Sequence, residues 1–586
     1  MSTSRLVKGS DILDEIANVS PDQILQRKLG LFADPESEEF ADIPKNRLPA
    51  FISKKQIEYD DIFARFKDVK DEYEKSGGFR PSLKDITKFM SQNSIGEELA
   101  ILSGHLLMTN GIPVVFEGPS GSGKTTIIDA LRRVIYPCDI YSLEGASDTA
   151  LTYDRERIND SKYVILGELN KLGSNTPTIK ECFKNWGEGK AYKRIVTNAG
   201  TKRTETYIIN PKVYISSIAD ESQQEFGMGV EFNSRGLNIR TNASQSQTED
   251  ILDFQADMYN GTGMMKEIDP VETCLYRWFI GELPSIGLKF GNDKDKYEYN
   301  IMIPGAKYIS RLLPSFFNTV TRDNSKLLKG IVGITRFHHY DRMTFTNPQG
   351  FLTYIATPQD IFLAYLLFGK MVVDSAKQLS KEQEYILKYI KYNPKCERSH
   401  IRPFLRVFGV SMTDNVLDKT LTDLVNLGYV DDTKESNRKK YVTTELYEQV
   451  TNSPPNFVDC IEWMKEDVKN IIPDLYDEYV LRYCSDEKLL VKDPLSDNIY
   501  DMKVHDFGLA AHELRTNNAL RKYLNESMGI SDLDNDDPVT DLQTKKTETF
   551  QNKKTDNPPN TSTSSMKEKY GSKSVTLRDF GSNAWD

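Results

Sequence analysis

Eight residues constrain this chain more than any others: Gly118, Pro119, Ser120, Gly121, Ser122, Gly123, Lys124 and Thr125, followed by Thr126. They fit G-x-x-x-x-G-K-[ST] completely, with an apolar strand (Val114, Val115, Phe116) before them and a helix pattern (Ile127, Ile128, Ala130, Leu131) after them. Glycines let such a loop turn its backbone N–H groups inward around phosphates, and the following helix N-terminus adds positive potential. The spacing therefore implies a triphosphate site, read as ATP with Mg²⁺, contacted from Gly118 through Thr126. Lys124 would bridge the β- and γ-phosphates and Thr125 would offer its hydroxyl to Mg²⁺.

Hydrolysis also needs a carboxylate at the end of a neighbouring strand. Tyr163-Val164-Ile165-Leu166-Gly167-Glu168 supplies an apolar run and then the acid. P-loop ATPases usually end this run in Asp-Glu, so Glu168 is expected to orient water, while Gly167 stands where the metal-side aspartate would be. Further on, Pro211-Lys212-Val213-Tyr214-Ile215-Ser216-Ser217 reads as another core strand ending in hydroxyls. Ser217, in preference to Ser216, is the candidate reporter on the γ-phosphate. Downstream, Arg235 is the candidate to reach a neighbouring subunit's nucleotide, with Arg240 as its competitor.

Between the acid and the hydroxyl strand lie two β-branched runs, Tyr192–Thr197 and Thr204–Ile209, joined by Asn198-Ala199-Gly200, which predicts a β-hairpin. Lys193, Arg194, Lys202 and Arg203 make it basic, and they are the candidate DNA contacts. The competing reading is a charged edge that resists unwanted strand pairing.

The order of these parts resembles the AAA+ ATPases, and within them the hairpin-bearing helicases. The minichromosome-maintenance helicases and the helicase-like ATPases of phages and mobile elements are the similar groups. Ser94-Ile95-Gly96-Glu97-Glu98-Leu99 resembles that group's lead-in helix. Thr321-Arg322-Asp323, opening a helix through Leu327, Leu328, Ile331 and Ile334, resembles its lid. The resemblance implies that Arg322 senses nucleotide and that the chain works as a homo-oligomeric ring around DNA. It spans roughly residues 95–370, and the zinc-binding N-terminal domain of the cellular replicative helicases has no counterpart.

The expected class is α/β: a parallel-sheet AAA+ P-loop core with a helical lid, a winged-helix domain and a helical C-terminal region. The boundaries read as a helical N-terminal region (1–92), the ATPase core (93–248), the lid (249–376), a winged helix (377–448), a helical domain (453–530) and a disordered tail (531–586). The winged helix rests on three spaced apolar patterns and on Tyr429-Val430 and Tyr441-Val442 flanking a polar wing. Its third helix exposes Asp414, Asp418 and Asp423, so protein contact competes with DNA binding as its role.

Composition removes other classes. Six cysteines lie far apart with no C-x-x-C pair, which excludes a zinc ribbon or disulfide framework and fits a reduced, cytoplasmic protein. No stretch approaches the ~18 apolar residues of a membrane span, and the N-terminus has no secretory h-region. The net charge of −11 excludes a general coat of nucleic-acid affinity but leaves room for a local basic groove. Two functions remain: a DNA-dependent ATPase of helicase or translocase type in DNA replication, or an ATP-controlled switch (initiator, loader or regulator) whose winged helix binds DNA or protein.

Overall fold

Short apolar runs buried on both faces form the inner strands that make the middle layer of this protein. The computed structural model describes residues 20–143, 150–168, 177–198, 203–219, 235–242, 245–261, 265–284, 299–310, 320–348, 350–377, 379, 381–407, 412–435, 438–444, 457–496 and 498–503. The expected tail at 531–586 and the first residues of the N-terminal region lie outside these. Among the described residues, no helix is long and apolar enough to cross a membrane.

Four helices lead in: α1 (Pro21–Leu29), α2 (Leu48–Lys75), α3 (Leu83–Met90) and α4 (Glu98–Thr109). Ser20 and Ser82 open α1 and α3 with capping boxes, their hydroxyls accepting from Gln23 N and Asp85 N. The core follows as β1 (Val114–Gly118), α5 (Lys124–Arg133), β2 (Ile140–Leu143), α6 (Ala150–Tyr153), α7 (Arg155–Asp160), β3 (Tyr163–Glu168) and α8 (Pro177–Gly187). Then come β4 (Tyr192–Asn198), β5 (Arg203–Ile209), β6 (Val213–Ala219), β7 (Leu237–Arg240) and α9 (Gln245–Asn260).

The sheet has the order β2-β3-β6-β1-β7, and every pairing is parallel. Side chains alternate between its faces. Val114, Phe116, Ile165, Ile215, Leu237 and Ile239 join one core with α4 and α5. Val115, Val164, Leu166 and Tyr214 join the other with Ile179, Phe183 and Trp186 of α8. The α/β class and the parallel core are as the sequence implied. The chain leaves β1 to one side and returns to place β7 on the other, so the carboxyl end of β1 is where such a sheet binds ligands.

Beyond the core run α10 (Pro270–Glu282), β8 (Tyr299–Met302), α11 (Ala306–Ile309), α12 (Val320–Phe337), β9 (Thr344–Thr346), β10 (Leu352–Ile355) and α13 (Pro358–Lys377). This region is less purely helical than its sequence suggests, because β8, β10 and β9 form a small mixed sheet. It packs against α17 (Phe457–Ile471), α18 (Tyr476–Tyr483) and a hairpin of β14 (Leu490–Lys492) and β15 (Ile499–Asp501), numbered past the elements described next. Phe457, Met464, Tyr479 and Met502 lie in one core with Phe362 and Phe368 of α13.

Between α13 and α17 sit α14 (Lys381–Tyr392), β11 (Cys396–Glu397), α15 (Arg398–Val407), α16 (Asp414–Asn426), β12 (Val430–Glu435) and β13 (Arg438–Thr443). The three strands pair antiparallel in the order β11-β13-β12. Ile386, Ile390, Ile401, Phe404, Leu417 and Leu421, spaced as their helices require, are all buried.

Candidate nucleotide site

The loop between β1 and α5 is built by glycines for two different reasons. Gly121 and Gly123 both have φ +81°, the left-handed region where a side chain is strained, and a Cβ at either would meet nothing within 4 Å. At Gly118 the reason is space. A Cβ there would lie 2.0 Å from Thr241 Oγ1 and 2.7 Å from Ser122 Oγ.

Thr241, at the end of β7, is a site residue that motif reading misses. Its backbone N–H donates to Glu117 O at 2.8 Å and its hydroxyl donates to Ser122 Oγ at 2.9 Å, tying the loop to the sheet edge. The next residue carries the tie outward. Asn242 N donates to the Glu97 carboxylate at 3.1 Å, and Gln247 Nε2 donates to it at 2.9 Å. Burial raises the Glu97 carboxyl to about 7 despite both bonds.

Lys124 lies folded over the loop, 6% exposed, with Nζ donating to Gly118 O and Pro119 O at 2.7 Å each. Thr125 and Thr126 are exposed on the first turn of α5. A triphosphate entering here would exchange those two carbonyls for its own oxygens at Nζ. Among the described residues, no group of three or more His, Cys, Asp or Glu is placed to hold a metal.

Glu168 ends β3, two strand spacings from β1 and so roughly 10 Å across the sheet. Its side chain lies outside the described residues. The register slips between Ile165↔Ile215 and Glu168↔Ser217, giving β3 one extra residue at Leu166-Gly167. Ser217 Oγ donates to Gly167 O at 3.0 Å, so this hydroxyl holds the bulge that carries Glu168. A Cβ at Gly167 would meet nothing within 4 Å, so packing does not dictate the glycine that replaces the usual aspartate.

The candidate arginines lie elsewhere. Arg235 precedes β7, whose Leu237 pairs with Val114 at the start of β1, roughly 15 Å from the β1–α5 loop. Arg240 pairs with Glu117 at the loop end. Arg235 and Arg322 come together, with Lys190, Lys326 and Lys329, around a cavity of about 460 Å³ in which Glu188 is the acid. Arg235 Nη2 donates to Glu188 Oε1 at 2.8 Å. Lys326 Nζ pairs with buried Asp323 at 2.9 Å, and burial pulls both Lys326 and Lys329 down from the ordinary lysine value. Lys326 and Lys329 sit four and seven residues beyond Arg322, so one helix face carries all three.

The hairpin divides the basic residues. Lys193 and Ile195 face outward, Ile195 at 69% exposure. Arg194 alternates to the inner side, where Nη1 reaches Thr178 Oγ1 at 3.5 Å. Lys202 and the Arg203 side chain lie outside the described residues. Lys212 Nζ is occupied at the end of α7, donating to Asn159 O and Ser161 O, and burial lowers it to about 8. On α16 two of the acids are matched by α15, Arg402 with Asp414 at 3.1 Å and Arg398 with Asp418.

No protein-family model and no curated protein matches this chain. Among solved structures it is similar to a candidate ATPase from Cytophaga hutchinsonii, at 15% identity over 57% of this chain and 95% of that one, with a TM-score of 0.32. At that score the likeness carries no information about activity.

Proposed function

We propose that the chain is an AAA+-type ATPase that binds and hydrolyses ATP and acts on DNA as a ring-forming helicase or translocase. The carrying observation is the division of basic groups between two ends of one sheet. Lys124 sits over the loop at the carboxyl end of β1, while Arg235 and Arg322 line a cavity at the opposite end. Arginines roughly 15 Å from their own loop act on a nucleotide only if a second copy brings it to them. The geometry therefore favours Arg235 over Arg240 as the residue acting in trans.

In this reading Lys124 releases the carbonyls of Gly118 and Pro119 and grips the β- and γ-phosphates. Glu168, fixed by the Ser217–Gly167 bond, orients water. Thr125 and the phosphates would hold Mg²⁺, which supplies charge neutralisation at the transferred phosphoryl group. Arg235 and Arg322 of the neighbour stabilise the charge that develops there. The outward hairpin face with Lys193 is the DNA-facing candidate, and residues 377–448 are the candidate winged helix.

The matched charges on α16 favour a second role for that module, contact with protein rather than the DNA major groove. This keeps the ATP-controlled switch as the alternative.

Mixed assemblies test the ring. Arg235→Ala protein mixed with Lys124→Ala protein, each inactive alone, is expected to recover part of the turnover, because an intact loop in one copy can meet an intact Arg235 from the other. No recovery in mixed assemblies would contradict the trans assignment.

A further inference from the structure

One acid stands between the basic cavity and the hairpin. The turn Gly187-Glu188-Gly189-Lys190 ends α8 and enters β4 at Tyr192. It is a tight unit. Glu188 N and Lys190 N both donate to Asn185 O, Gly189 N donates to Trp186 O, and Gly189 has φ +68°. The Arg235 stem lies directly on it, since a Cβ at Gly187 would come 2.7 Å from Arg235 Cβ.

Glu188 grips from both oxygens: Oε2 accepts from Lys190 Nζ at 2.7 Å and Oε1 from Arg235 Nη2 at 2.8 Å. Lys190, then Arg235, hold its carboxyl below the ordinary range. The Arg235 side chain is only 9% exposed while Glu188 is 29% exposed, so the arginine is drawn in against the turn. Nη2 is committed to Glu188, so a phosphate in the cavity competes with that carboxylate for the Arg235 guanidinium.

We infer that Glu188 is a positioning residue that restrains Arg235 and links it to the hairpin, so that displacement of β4 frees the arginine for a phosphate of a second copy. The inference rests on the trans reading of Arg235 above and adds the group that regulates it. Only two residues separate the Glu188–Lys190 unit from the first outward hairpin lysine, Lys193, so a strand bound on that face lies next to the turn in the chain.

The test uses the full chain with Glu188→Gln, Arg235→Ala, Arg235→Lys and the Glu188→Gln/Arg235→Ala double variant. ATP turnover is measured with and without an oligothymidylate strand. Glu188→Gln keeps the shape of the side chain and removes its charge. It is expected to raise DNA-free turnover about tenfold, the order of one charge-assisted hydrogen bond, and to flatten the response to the strand. The double variant is expected to match Arg235→Ala, because the gain acts through Arg235. Arg235→Lys, which keeps the charge and stem, is expected to keep more turnover than Arg235→Ala.

Wild-type behaviour of Glu188→Gln overturns the inference, as does a fall in its turnover. So does an equal gain on the Arg235→Ala background. A wild-type turnover for Arg235→Ala alone instead overturns the trans reading beneath it.

Discussion

Lys124→Ala is expected to remove nucleotide binding and turnover together. The lysine brings the single full charge inside the loop, and a charge-assisted contact to phosphate contributes about 3 kcal/mol, so affinity should fall on the order of a hundredfold. The fold should survive. The carbonyls that Nζ now satisfies belong to Gly118 and Pro119, beside a loop whose Ser120 and Gly121 are exposed, and water can replace the ammonium there. Titration with a fluorescent ATP analogue gives the affinity, and a melting midpoint within about 2 °C of wild type shows that the loss is local. Unchanged affinity would remove the nucleotide site from this loop.

The largest stability effect is expected at Asp360, far from the loop. Thr357 and Asp360 form a reciprocal cap on α13: Thr357 N donates to Asp360 Oδ2 at 3.1 Å, and Asp360 N donates to Thr357 Oγ1 at 3.3 Å. The same carboxylate, 0% exposed, accepts from Arg342 Nε at 2.8 Å and Nη2 at 2.5 Å, and from Thr335 Oγ1 at 3.1 Å. It thus joins α12, α13 and the approach to β9. Asp360→Ala would strand a buried guanidinium, and removing one partner of such a pair costs about 3–5 kcal/mol. Denaturant midpoints measure it.

The pH dependence follows from the charge. Burial alone would raise the Asp360 carboxyl, but Arg342 and His338 outweigh it and hold it well below the ordinary carboxylate range. A carboxyl lower in the folded than in the unfolded state stabilises fully above its unfolded value, about 3.9. That contribution is lost as pH falls from there through the folded value. The stability gap between wild type and Asp360→Asn is therefore expected to narrow on acidification below about pH 4. A gap that widened in acid would refute the assignment.

Local features were the legible ones. The β1–α5 loop, its strand and its helix are contiguous in sequence, so a motif carries them. The apolar spacing of residues 381–443 likewise predicted its helices, because each buries one stripe. What could not be read was assembled across the chain. Thr241 reaches Ser122 over 119 positions and the Glu188–Arg235 pair spans 47, distances that no local pattern encodes. Lys326 and Lys329 carried a signal, their helical spacing from Arg322, that becomes meaningful only once Arg235 is placed beside them.

The hairpin shows a subtler limit. Counting basic residues grouped Lys193 with Arg194, whereas strand alternation already separates neighbours onto opposite faces. The helical domain expected at 453–530 holds α17 and α18 among its described residues, and also a β14–β15 hairpin. The β14–β15 hairpin has only three residues in each strand, too few for a period to register.

The central claim, a DNA-dependent ATPase, is tested most directly by steady-state ATP turnover with and without single-stranded DNA, beside Glu168→Gln. The account predicts strong stimulation by the single strand in wild type and none in Glu168→Gln, which still binds ATP. Slow turnover indifferent to DNA, or full activity in Glu168→Gln, would contradict it.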